Sequence, residues 1–112
     1  MKTAERDRYT YRLSWSAEDG EHVATCAEFP GLSWLDEDGI EALRGIKKLV
    51  REAVEDLRAS GEPVPEPLAD KGFSGRFVAR IPPEQHRALA VRAAEAGVSL
   101  NRYVAFKLAA AG

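Results

Sequence analysis

Three prolines at every second position, Pro63, Pro65 and Pro67, divide this chain more sharply than any other feature of it. Proline donates no backbone hydrogen bond and holds φ at about −65°, so the segment GEPVPEPLADKG (Gly61 to Gly72) reads as an extended linker without helix or ladder bonding. Two units are therefore expected, 1–70 and 74–112, with a linker over about 61–73. The second is of the size, about 40 residues, that seldom closes a core without disulfides, metals or oligomerisation. The charge changes sign at the same place. Residues 1–70 carry 9 Lys and Arg against 16 Asp and Glu, whereas residues 71–112 carry 7 against 2. An acidic body and a basic tail imply different partners, and a basic tail suits nucleic acid.

In the body, YTYRLSWS (Tyr9 to Ser16) alternates Tyr9, Tyr11, Leu13 and Trp15 with polar residues and predicts a half-buried strand. The Asp19-Gly20 turn leads into HVATCAEF (His22 to Phe29), completing a hairpin, and LSWL (Leu32 to Leu35) is a short third strand. Asp38 is placed to cap a helix over Gly39–Ala59, with Leu43, Ile46, Val50, Val54 and Leu57 as its apolar stripe and Gly61 just past its end. Gly45 within that stripe costs about 1 kcal/mol relative to Ala and predicts close packing there.

The tail opens with SGRFVARIPPE (Ser74 to Glu84), in which Phe77, Ala79 and Ile81 alternate with Arg76, Val78 and Arg80. A strand with one apolar and one cationic face needs a core on one side, an anion on the other and a ladder partner. A helix follows from PPEQHRALAVRAAEAG, ending at Gly97, with His86 and Leu89 on its core side, and Ser99 caps a second helix, SLNRYVAFKLAA. Antiparallel pairing of the strands of two copies supplies the ladder and a shared core of Phe77, Ala79, Ile81, Leu89 and Val104. The opposite face of the resulting ribbon displays Arg76, Val78 and Arg80 twice, in a shape that fits the DNA major groove.

These residues resemble the ribbon-helix-helix family, from the alternating strand through Arg-Ile-Pro-Pro-Glu to the Gly-x-Ser turn. The resemblance implies operator binding by the ribbon, with the backbone amides around Ser99, Leu100 and Asn101 holding a phosphate. The first seventy residues are similar as a set to the HicB antitoxins of type II toxin-antitoxin modules: the aromatic strand, the Asp-Gly hairpin, Glu-Phe-Pro-Gly at Glu28 to Gly31, the helix opening GIEALRGI and the exit GEPVPEP. That resemblance implies an α+β chain with a β-β-β-α(-β) body like a reduced ribonuclease H, without catalysis, followed by the β-α-α tail. It implies a HicA-like toxin as protein partner, an mRNA interferase that the antitoxin neutralises, and repression of its own operon by a homodimer or higher even-numbered oligomer on operator DNA. The alternative is a stand-alone transcriptional regulator whose body senses a ligand or mediates assembly.

Enzymatic readings find little support. His22 and His86 lie in different units, Cys26 reads as a small buried hydrophobe, and Asp36, Glu37 and Asp38, which with Asp19 are the metal candidates, are explained by helix capping. No cofactor is expected. The single cysteine excludes an internal disulfide framework, and with no signal peptide and no membrane-spanning run the expected location is cytoplasmic, away from membranes.

Overall fold

The computed structural model describes residues 7–111. The chain separates into two compact units, Met1–Phe73 and Ser74–Gly112.

The first unit is a three-stranded antiparallel sheet covered on one face by a helix. Strands β1 (Tyr11–Ser16), β2 (Glu21–Cys26) and β3 (Ser33–Asp36) lie in the order β1-β2-β3. The β1–β2 hairpin closes on Gly20, whose φ of 66° is readily adopted only by glycine and whose N–H donates to the Ser16 carbonyl over 2.8 Å. The first strand starts two residues later than expected and the second ends at Cys26, before the Glu-Phe-Pro-Gly turn, in which the Phe29 N–H donates to the Cys26 carbonyl over 3.1 Å. Registers of Leu13 with Ala24 and Ala24 with Trp34 put those three residues in one row, and Trp15, His22 and Asp36 in the next.

Helix α1 (Gly39–Ala59) begins where the Asp38 carboxylate accepts from the N–H groups of Ile40 at 2.8 Å and Glu41 at 3.4 Å. It ends with Gly61 at φ 72° and the Glu62 N–H bonded back to the Leu57 carbonyl over 2.9 Å. The core joins Ala24 and Cys26 of β2 to Ala42, Ile46, Val50 and Val54 of α1. The buried stripe is rotated from the expected one. Ala42 and Gly45 are fully covered while Leu43 and Leu57 are only half-buried, because the small residues let the helix approach the sheet closely.

The proline-rich segment is not a free linker. The Tyr9 hydroxyl donates to the Pro65 carbonyl over 2.7 Å, the Leu68 N–H donates to Glu28 over 2.8 Å, and the Arg8 guanidinium holds both oxygens of Asp70 at 2.7 and 3.0 Å. A short 3₁₀ turn, Leu68–Asp70, follows the prolines. The first unit thus extends to Phe73, and the last strand of the implied β-β-β-α-β body is replaced by a strap tied down through side chains. Alternate prolines remove the donors a ladder would need.

In the second unit α2 (Pro83–Ala96) leads through Gly97, at φ 72°, into α3 (Leu100–Ala111). The Val98 N–H closes the end of α2 on the Ala93 carbonyl over 3.1 Å. The expected strand at Arg76–Ile81 does not form in the single chain: among the described residues no segment pairs with it. No helix among the described residues is long and apolar enough to cross a membrane.

Candidate nucleic-acid interface

The second unit is built with its apolar side chains outside. Ala93 is its one buried residue among those described; Leu89 and Val104 are half-buried, and Phe77 and Phe106 remain 76% and 74% exposed. Two helices of this length and one short segment seldom close a core by themselves. His86, expected at the core edge, is exposed in the first turn of α2.

Of the residues expected to face DNA, Arg76, Val78 and Arg80 are exposed, Val78 at 91%. Gly75 at φ 85° and the bond from the Arg76 N–H to the Ser74 hydroxyl at 3.0 Å shape the start of this segment. Ser99, Leu100 and Asn101 form a second group at the entry to α3, where the Ser99 hydroxyl accepts the Arg102 N–H at 3.1 Å and so serves as the cap. No hydrogen bond links the two groups among the described residues. The expected core residues Phe77, Ala79 and Ile81 are likewise exposed, so both faces of Arg76–Ile81 are open within one chain.

Electrostatically the unit is a cationic surface. Arg76, Arg80, Arg87, Arg92, Arg102 and Lys107 make no ion pair among the described residues, where the pairs are Arg8–Asp70 and Arg44–Glu41. Lys107 instead lies over the Tyr103 ring, 5.5 Å from its centre. Guanidinium groups free of carboxylates keep their donors for an external anion.

Sequence reasoning missed Glu28 as a structural junction. Its carboxylate accepts from the Thr10 N–H at 2.9 Å, the Thr10 hydroxyl at 3.0 Å and the Leu68 N–H at 2.8 Å, so it joins the approach to β1, the turn after β2 and the strap. Burial alone would raise its pKa, but the donors from Leu68 and Thr10 outweigh that and hold it at about 2. The Glu-Phe-Pro-Gly motif was visible as a motif; that its acid serves the distant Leu68 was not. Cys26 lies beneath α1, and its burial pushes the thiol up to about 11, which leaves it a poor nucleophile. Among the described residues no three His, Cys, Asp or Glu side chains are grouped to hold a metal.

The HicB family model matches residues 59–108, from the end of α1 through the strap and Arg76–Ile81 into α3. The match supports a HicB family protein. HicB is an antitoxin family, generally without enzymatic activity, and the match points to a toxin-antitoxin-related function. It covers just under half of the chain, and of the body's own HicB-like features only the proline exit falls inside it. No curated protein and no solved structure matches the chain.

Proposed function

We propose that this HicB family chain is an antitoxin that neutralises a HicA-type mRNA interferase and, as a homodimer or higher even-numbered oligomer, represses its own operon by sequence-specific DNA binding. The observation that carries the DNA-binding half is the second unit itself. Its apolar set is left exposed at Phe77, Ala79 and Ile81 and only half-buried at Leu89 and Val104 in one chain, and its arginines make no ion pair among the described residues. Pairing of two Arg76–Ile81 segments gives each strand its ladder and turns the aromatic and aliphatic side chains inward. The ribbon then offers Arg76 and Arg80 to guanine edges, Val78 to a thymine methyl, and the α3 entry at Ser99, Leu100 and Asn101 to phosphate. The acidic body suits a ribonuclease partner, whose RNA-binding surface is cationic.

Arg76→Ala and Arg80→Ala should each cost about 1–3 kcal/mol in operator binding and relax base preference, measured by titration on operator and scrambled duplexes. Unchanged affinity in a folded dimer removes the DNA-reading role. Truncation after Phe73 should abolish operator binding while still protecting cells from the toxin. A body that never associates with the small ribonuclease encoded beside it favours the reading of a stand-alone regulator with a sensing or assembly domain. That second reading has one observation in its favour: residues 1–58 lie outside the family match.

A further inference from the structure

A cleft of about 330 Å³ opens between the C-terminal half of α1 and the strap. That volume lies at the small end for ligand sites, which run from about 300 to 1,000 Å³. Tyr9, Val50, Val54 and Val64 supply its apolar lining. On the helix side Val50, Arg51, Val54 and Arg58 share one flank of α1, at spacings of 1, 3 and 4.

The charges that line the cleft balance, with Arg8, Arg51 and Arg58 against Asp7, Glu66 and Asp70. Half of them are engaged within the chain. Arg8 holds Asp70 at 2.7 and 3.0 Å, and Asp7 accepts from the Tyr11 hydroxyl at 2.6 Å and the Tyr9 N–H at 3.1 Å. Arg51, Arg58 and Glu66 make no ion pair among the described residues, where the pairs are Arg8–Asp70 and Arg44–Glu41. Burial raises the pKa of the Tyr9 phenol and the Arg58 guanidinium opposes the rise, so the Arg58 charge lies within electrostatic reach of the ring that lines the cleft.

Unpaired groups of both signs around an apolar lining select the chemistry of the occupant. A phosphate or a dicarboxylate would meet Glu66 as well as the arginines, and a cation would meet the arginines. A zwitterion satisfies all three, because its carboxylate takes guanidinium donors while its ammonium takes the Glu66 carboxylate. The valines are left for an aliphatic side chain.

We propose that this cleft binds a free amino acid with an aliphatic side chain, its carboxylate held by Arg51 and Arg58 and its ammonium by Glu66. The site lies within the first unit and stands apart from the antitoxin reading. Because the arginines belong to α1 and Glu66 to the strap, the bound amino acid adds a tie from the helix to those that Arg8, Tyr9 and Glu28 already make.

Calorimetric titration of the full chain with L-leucine should show saturable binding with a dissociation constant of about 1 mM or below. N-acetyl-leucine, leucinamide and glycine lack the ammonium, the carboxylate and the side chain in turn, and each should bind about tenfold more weakly or worse. Arg51→Ala and Arg58→Ala, each with an unchanged unfolding midpoint, should weaken leucine binding by about tenfold, and Glu66→Gln should remove the preference for leucine over N-acetyl-leucine. Arg44→Ala, outside the cleft, should leave the affinity as it is. Saturating leucine should slow hydrogen exchange at the Leu68 amide of the strap by about threefold or more. No saturable uptake of L-leucine up to about 10 mM overturns the site. Undiminished binding by both arginine variants overturns its place in the cleft, and N-acetyl-leucine binding as tightly as leucine overturns the zwitterion.

Discussion

Gly45 carries more of the packing than its size suggests. A Cβ at this position would overlap Cδ2, Cε2 and Nε1 of Trp34, so the indole of β3 lies directly on the helix backbone. Trp34 remains partly exposed at the edge of the sheet, and its inner face closes the gap that a side chain on α1 would otherwise fill. Gly45→Ala should lower stability by about 1–3 kcal/mol through overpacking, although alanine is the better helix former. In a Trp34→Ala background the same change should become neutral or stabilising, and thermal unfolding of the four proteins separates the two effects. Glu28 makes the second argument at this scale. Its folded pKa of about 2 lies below the ordinary 4.5, so its contribution is fully present above pH 4.5 and is lost as the pH falls toward 2. Glu28→Gln should flatten the acid limb of the stability curve across that window, as read by denaturant unfolding at successive pH values. Asp70, held low by the hydrogen bonds from Arg8, adds a dependence of the same sign.

Among the elements, the strap of residues 63–70 is tied to the body through side chains. Tyr9, Glu28 and Arg8 each fix one point of it, at Pro65, Leu68 and Asp70. Because Arg8 and Asp70 are solvent-exposed, that ion pair contributes little by itself, and Glu28, with three donors, is the tether of consequence. Glu28→Gln should release the strap while α1 and the sheet stay folded. Hydrogen exchange at the Leu68 amide should rise at least tenfold while the amides of α1 keep their protection. The prolines were legible as breakers of regular structure, but their docking was not, since the donors and acceptors that hold them are distant in sequence.

For the whole molecule, the two units differ in whether they are complete. The first has its own core; the second has Ala93 and exposed aromatics. Stability of the second unit should therefore depend on protein concentration. If two copies pair as proposed, each tenfold dilution should cost the associated state about 1.4 kcal/mol, and Phe77→Ser should turn the proposed dimer into monomer in sedimentation while leaving the first unit's unfolding unchanged. A concentration-independent midpoint with a monomeric mass rules out the shared core.

Alternation in β1 and around Phe77, the Asp38 cap, the Gly61 and Gly97 stops and the change of charge sign were all readable along the chain. Each depends on neighbours a few residues apart, where backbone geometry and side-chain period suffice. Three matters could not be read that way: the rotation of the α1 stripe toward Ala42 and Gly45, the exposure of Trp15, and the service of Glu28 to Leu68. Each depends on where one element stops against another, and close packing settles that only after the chain has folded.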